Sequence, residues 1–157
     1  MKGAQLAGLF NVNSGNCSGV QAAGLFNQTA DTLYGVQAAG LVNVASLSPR
    51  LFVQASGLVN ILRKNNTADN AIATPKGVQV AGLVNKTDQL TGVQASGLVN
   101  SANNIKGVQV AGLVNRARRV RGLQIGLFNH TNELHGLQIG LINRSGKRWL
   151  PFVNWGR

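Results

Sequence analysis

The sequence predicts an all-β chain that folds as one parallel β-solenoid of about nine to ten short rungs. A nine-residue phrase, seen as Gly-Val-Gln-Val-Ala-Gly-Leu-Val-Asn over 107–115, recurs along the 157 residues. Apolar and polar residues alternate in its first half, which is typical of a β-strand. Its Gln and its final Asn occur in every copy. Identical residues at a fixed spacing are what stacked rungs place above one another.

Nine copies of the phrase follow one another, mostly 14 to 17 residues apart. Full copies occupy 3–11, 19–27, 35–43, 52–60, 77–85, 92–100 and 107–115, and shortened copies occupy 122–129 and 136–143. The shortened copies lack the small residue at the fifth position, so we predict that this residue forms a bulge or a corner. Because a repeat array builds its core by stacking neighbours, we expect a single elongated domain over 1–157.

Each copy continues into a polar stretch that predicts a turn. Asn ends every copy, and Asn accepts the backbone angles that turns require. Five or six residues beyond the Asn an apolar residue usually returns, as at Leu90, Ile105 and Val120. We interpret this residue as part of a second, shorter inward-pointing element on each rung.

Residues 61–76 interrupt the regular spacing of the copies. They separate the copy at 52–60 from the copy at 77–85, so these two copies begin 25 residues apart. Their Asn and Ala content, together with Pro75, disfavours another strand. We therefore predict a surface loop inserted into the array.

The phrase degenerates at the C-terminus, over 149–157. Pro151 removes a backbone donor, and Trp149, Phe152 and Trp155 are large apolar side chains able to cover the end of a core. We interpret this segment as a cap.

Two architectures fit β repeats of this length. In a parallel coil each rung lies about 4.8 Å from the last, and stacked amides can hydrogen-bond along a column. The predicted ladders contain Gln79, Gln94, Gln109, Gln124, Gln138, Asn85, Asn100, Asn115, Asn129 and Asn143. The alternative is an antiparallel meander barrel, where reversed strands would give no reason for an unchanging Gln and Asn. Gly-rich strands, an odd copy number and missing aromatic girdles argue against the barrel.

The charge is strongly positive, with fifteen Lys and Arg against four Asp and Glu and a formal net charge of +11. Such a chain is attracted to anions such as nucleic acid, lipopolysaccharide or acidic lipid. The candidate anion-binding residues follow two equivalent Asn residues: Arg116, Arg118, Arg119, Arg121, Arg144, Lys147 and Arg148. We expect them to form a strip along one edge of the coil, with a solubilising turn edge as the alternative interpretation.

Residues suited to catalysis or metal binding are few. The four carboxylates are scattered, and His130, Glu133 and His135 on one turn do not make a specific metal motif. The lone Cys17 permits neither an intrachain disulfide nor a cysteine-based metal site. We therefore predict no enzyme, no metal and no cofactor.

Targeting signals are also missing from the sequence. The apolar runs are too short for a membrane helix, and no signal-peptide pattern precedes the first copy at Gly3. We expect a cytosolic chain, one exported without such a signal, or one whose leader has been trimmed.

The phrase Gly-Val-Gln-x-Ala-Gly-Leu-Val-Asn, complete at 35–43, 77–85 and 107–115, resembles the repeat of a largely uncharacterised group of bacterial surface-repeat proteins. The resemblance spans about nine tenths of the chain. It implies bacterial origin and display at the surface or secretion. A weaker similarity links the stacked Gln and Asn to curli-like amyloid repeats and bears only on the geometry.

Two functions fit these observations. The first is a non-enzymatic bacterial repeat scaffold, surface-exposed or secreted, that mediates protein interaction or assembly. Its N-terminal rung, 3–11, has no evident cover and offers unpaired backbone groups to a protein partner or a second copy. The alternative is a basic module that binds nucleic acid or anionic glycolipid through the Arg and Lys strip.

Overall fold

The protein is described by a computed structural model that covers residues 2–46, 51–63 and 75–157. Thirteen strands occupy most of these residues, and no helix occurs among them. In chain order they are β1 (Lys2–Ala7), β2 (Phe10–Asn13), β3 (Cys17–Ala23), β4 (Phe26–Ala39), β5 (Val42–Ser46), β6 (Leu51–Ser56), β7 (Val59–Arg63), β8 (Lys76–Ala81), β9 (Val84–Ser96), β10 (Val99–Ala111), β11 (Val114–Ile125), β12 (Phe128–Ser145) and β13 (Arg148–Gly156).

The strands stack in parallel, with equivalent residues in register. Gly107 pairs with Gly92 on one side and with Gly122 on the other. Of the strand pairs in the described residues, β12 and β13 alone are antiparallel. The predicted parallel β-solenoid is confirmed, and the antiparallel meander is wrong. Nine copies bound eight intervals, so the coil makes about eight turns rather than nine to ten.

The phrase turns its amides inward and its apolar side chains outward. Gln109 and Asn115 are fully buried, whereas Val108 and Val114 are half-buried and Val110 is exposed. From the second copy to the ninth, every Gln and Asn of the phrase is buried in this way. A buried amide needs hydrogen-bond partners, and stacking supplies them.

The buried amides form two hydrogen-bonded columns. In the glutamine column each Nε2 donates to Oε1 of the glutamine one rung earlier, at 2.7 to 2.9 Å. In the asparagine column each Nδ2 donates to Oδ1 of the asparagine one rung later, at 2.8 to 3.0 Å. The second N–H of each asparagine goes to a backbone carbonyl of that later rung, at 2.6 to 2.8 Å. All ten amides predicted to form ladders lie in these columns.

A third inward column is apolar and shares the rest of the core with Ala45, Leu62, Ala102 and Ala117. It contains Cys17, Leu33, Phe52, Leu90, Ile105, Val120 and Leu134, none more than 5% exposed. Phe52 stands where the other copies have Gly, and its side chain joins this column. A Cβ on Gly77 in the next rung would lie 2.7 Å from the Phe52 ring, so Gly77 makes room for it.

Two glycine columns mark where the chain changes direction. Gly107 has a φ of +134°, in the region that favours glycine. Gly112 begins the bend within the phrase, and a Cβ there would lie 2.1 Å from the Gly97 oxygen. In the shortened copy two residues, not three, lie between Ile125 and Phe128. The small residue that the shortened copy lacks corresponds to Ala111, which is buried and ends β10 directly before the bend.

The inserted loop is shorter than predicted. Residues 61–63 belong to β7, and Lys76 begins β8. Both ends of 61–76 therefore continue the ladder, because they pair with neighbouring strands. Residues 64–74 of the predicted loop lie outside the described residues.

The C-terminal segment closes the coil, but its aromatic side chains do not cover the core. β13 hydrogen-bonds β12 over nearly its whole length. Trp149, Phe152 and Trp155 are 59%, 66% and 59% exposed, so the aromatic cover expected from the sequence is wrong. Instead the buried Asn154 donates from Nδ2 to Oε1 of Gln138 at 2.8 Å and terminates the glutamine column. The Asn154 amide thus supplies the donor that the next glutamine of the column would have supplied.

Candidate anion-binding edge

Cationic side chains stack in two outward columns on the later rungs. We name the first the pocket column, and it contains Lys86, Ser101, Arg116, His130 and Arg144. Each of these residues directly follows an asparagine of the buried ladder, so the same strand geometry repeats at every level. We name the second the far column, and it contains Lys76, Thr91, Lys106, Arg121 and His135. It precedes the glycine that opens each phrase.

A polar pocket of about 320 Å³ lies beside the pocket column. Its lining residues are Ser101, Ala102, Asn103, Arg116, Ala117, Arg118, His130 and Asn132. Ala102 and Ala117 are buried. Both belong to the hydrophobic core, so they form the floor of the pocket between the outward residues on either side. Of the eight described residues that line the pocket, none is acidic.

His130 lies between two arginines of the pocket column. Burial is the first cause that lowers the pKa of His130, and the charges of Arg144 and Arg116 lower it further. The unperturbed histidine already titrates near pH 6.5, so His130 is neutral at pH 7. A neutral imidazole can donate one hydrogen bond, and an anion beside it would favour the doubly protonated form.

Arg119 is engaged by a carboxylate. Its Nε donates to Oε2 of Glu133 at 2.8 Å, and both side chains are about half exposed. An exposed pair of this kind contributes little to stability. It does neutralise part of the charge that the sequence assigns to this edge.

Arg144 and Arg148 make contacts at the C-terminal end of the coil. The Arg144 guanidinium lies 5.0 Å from the Trp149 ring centre, and its Nε donates to the Gly146 oxygen. Arg148 lies 5.7 Å from the Trp155 ring centre, and its Nη2 donates to Asn154 Oδ1 and to the Trp155 oxygen. Arg148 therefore supports the residue that terminates the glutamine column.

The seven predicted anion-binding residues thus do not form one strip. Arg116 and Arg118 line the pocket, whereas Arg121 belongs to the far column. Arg119 pairs with Glu133, Arg144 and Arg148 contact the two tryptophans, and Lys147 lies exposed on the last turn.

Sequence reasoning missed four polar residues that line the pocket: Ser101, Asn103, His130 and Asn132. A signal for His130 was present. It follows Asn129 just as Arg116 follows Asn115 and Arg144 follows Asn143. Stacking those asparagines places His130 between the two arginines.

Metal-binding groups are not brought together in the described part of the chain. No cluster of three or more His, Cys, Asp or Glu occurs among the described residues. His130 and His135 lie in different outward columns, and Glu133 pairs with Arg119. Cys17 is buried, and burial raises the pKa of its thiol. Within the described residues, no helix has the length and apolar character to cross a membrane.

Comparison with protein-family models, curated proteins and solved structures finds no match to this chain.

Proposed function

We propose that this protein is a non-enzymatic bacterial repeat scaffold, surface-exposed or secreted, that binds an anionic ligand at the pocket beside Arg116, Arg118 and His130. The observation that carries the proposal is the composition of that pocket. Two arginines, a histidine and polar side chains line it, and its described lining contains no carboxylate. The bacterial surface location rests on the resemblance of the repeated phrase.

The pocket chemistry suits phosphate or sulfate groups. A guanidinium offers paired donors that match the oxygens of such groups. The amide of Asn132 and the hydroxyl of Ser101 add uncharged donors around the two arginines. The amide of Asn103 also lines the pocket, but its Nδ2 donates to Oδ1 of Asp88 at 3.0 Å. Nucleic acid and anionic glycolipid both present such groups on a repeating or clustered array.

The scaffold role is supported by the interior of the coil. The buried Gln and Asn side chains use their hydrogen-bonding groups on one another and on the backbone, rung after rung. The interior is filled by packed side chains and hydrogen-bonded ladders. Contacts with partners are therefore made by the outward columns. A stack of this kind holds those columns at a fixed spacing, about 4.8 Å per rung.

A salt titration of heparin binding tests the anion-binding proposal. We expect the double variant Arg116→Gln/Arg118→Gln to weaken binding at least tenfold. We also expect it to flatten the slope of log affinity against log salt by about 2. The matched control is Arg63→Gln/Arg157→Gln, which removes the same charge from exposed arginines that belong to neither column and do not line the pocket. Equal losses in both variants would mean that heparin responds to net charge and that the pocket is no binding site.

The second candidate function is assembly through β1. In the described residues β1 pairs with β3 on one side only. A strand from a protein partner or a second copy could add to the other edge. Light scattering at low and high salt tests this function. Ala4→Pro, which removes a backbone donor from that strand, should abolish concentration-dependent association if β1 is the contact. Association unchanged by Ala4→Pro would exclude that edge.

A further inference from the structure

An apolar ridge runs along the outside of the coil. It is the column of leucines that follows the corner glycine in each copy: Leu9, Leu25, Leu41, Leu58, Leu83, Leu98, Leu113, Leu127 and Leu141. Leu25 is half-buried, and the other eight are between 38% and 58% exposed. Eight steps of about 4.8 Å give the ridge a length of roughly 38 Å.

Apolar side chains continue on both sides of the ridge. Before the bend, Val80, Val110, Ile125 and Ile139 are 36% to 45% exposed. After the bend, Phe128 and Ile142 are 44% and 39% exposed. Single exposed apolar residues are ordinary on a protein surface, but a continuous band over nine levels marks an interaction face.

Cations border this band on both sides in the later rungs. Within one rung the outward residues, in chain order, are Lys106, Val108, Val110, Leu113, Val114 and Arg116. The next rung gives Arg121, Leu123, Ile125, Leu127, Phe128 and His130. The far column thus lies along one border of the apolar band and the pocket column along the other. In the described residues neither column contains an acidic side chain.

This arrangement argues against a second copy as the occupant of the ridge. Two copies laid ridge to ridge would bring their cationic borders together, and each chain carries a formal net charge of +11. Like charges at an interface oppose association. The ridge also offers no aromatic stacking platform, which single-stranded nucleic acid would use.

We infer that the ridge lies on an anionic lipid bilayer. The leucines sit at the boundary between headgroups and acyl chains, and the two bordering columns contact lipid phosphates. Apolar burial together with attraction to anionic lipids is how peripheral proteins hold a bilayer surface. The inference rests on the proposed anion-binding function and names the source of the anion.

Vesicle sedimentation tests this inference with two lipid compositions, phosphatidylcholine alone and phosphatidylcholine with 30% phosphatidylglycerol. We expect binding to the anionic vesicles and at least tenfold less to the neutral ones. The ridge variant Leu98→Gln/Leu113→Gln should weaken binding to anionic vesicles at least tenfold and leave heparin binding intact. The border variant Lys106→Gln/Arg121→Gln should weaken vesicle binding, and salt should weaken it further.

The control is Ala30→Gln. Ala30 is exposed, and it belongs neither to the ridge nor to the two columns that border it. This control should bind vesicles like the parent protein, and circular dichroism should show the same fold in every variant.

The outcomes separate the two proposals. If the ridge variant binds anionic vesicles as well as the parent does, the bilayer inference is wrong while the anion-binding proposal stands. If the parent binds heparin but no vesicles, or if the ridge variant only alters self-association, the ridge faces a protein and the inference is again wrong. If the parent protein binds neither heparin nor vesicles, both proposals are wrong.

Discussion

The side chain of Asn100 donates a hydrogen bond to Oδ1 of Asn115, one rung later, at 3.0 Å. The same Nδ2 donates to the backbone oxygen of Val110 at 2.7 Å. That carbonyl can only accept, so it fixes which way the amide of Asn100 points. The glutamine column runs the opposite way, with Gln109 donating back to Gln94 at 2.7 Å. The two columns of amide dipoles therefore oppose each other inside the coil.

Breaking the asparagine column should be costly. We expect Asn100→Leu to lower the free energy of unfolding by about 3 kcal/mol or more, because each unsatisfied buried polar group costs about 1 to 3 kcal/mol. The variant removes one acceptor of Asn85 Nδ2, the side-chain donor to Asn115 Oδ1 and the side-chain donor to the Val110 oxygen. Urea denaturation followed by circular dichroism measures the effect. The exposed Asn103→Leu is the control and should change stability by less than about 0.5 kcal/mol. Equal stabilities would show that the column contributes nothing.

The corner glycines should tolerate a methyl group only where no rung lies beneath. At Gly112 a Cβ would meet the Gly97 oxygen at 2.1 Å, whereas at Gly8 in the first copy no atom lies within 4 Å. We expect Gly112→Ala to destabilise the fold by about 2 to 4 kcal/mol and Gly8→Ala by less than about 0.5 kcal/mol. Thermal denaturation of the two variants makes the comparison. Similar melting temperatures would contradict the close approach of the rungs at this corner.

Anion binding at the pocket should strengthen as the pH falls. Burial and the neighbouring arginines lower the pKa of His130, so the free protein holds it neutral at pH 7. A bound anion favours protonated His130, so binding takes up a proton, and the affinity rises with acidification below neutral pH. Heparin affinity measured at pH 7.5 and pH 5.5 tests this. His130→Gln should remove most of the increase, and His135→Gln, in the far column, should retain it. A pH dependence that follows His135 instead would show that His130 does not face the anion.

The C-terminal end should depend on Asn154 more than on the tryptophans. Asn154 is buried, donates to Gln138 and accepts from Arg148. We expect Asn154→Ala to cost about 2 kcal/mol. Trp155→Ala removes an exposed ring stacked under Arg148 and should cost about 1 kcal/mol or less. Denaturation midpoints of the two variants decide the order. A larger loss for Trp155→Ala would restore the aromatic cap that the sequence suggested.

Much of the candidate site could not be found from the sequence. Arg116 and Arg118 stand out as a charged run, but the pocket they line also contains polar residues of the neighbouring rungs, such as Ser101 and His130. The run itself gives no sign that Arg119 is paired with Glu133 one rung later. Such contacts join residues 13 to 15 positions apart, so they become visible only once the length of each turn is known.

The sequence by itself determined the repeat and favoured parallel stacking over the antiparallel alternative. It also predicted the partners within each ladder, because a residue that recurs at one position in every copy has its own kind above and below it in a parallel coil. Only the tertiary structure decided which face of the phrase is inside. Period-two alternation defines two faces without saying which is buried. The usual preference for apolar residues in the interior would place Val110 inside, whereas the structure buries Gln109. A closed coil can bury Gln109 and Asn115 because neighbouring rungs satisfy their amides. With the interior so occupied, Val110 and Leu113 are left on the surface.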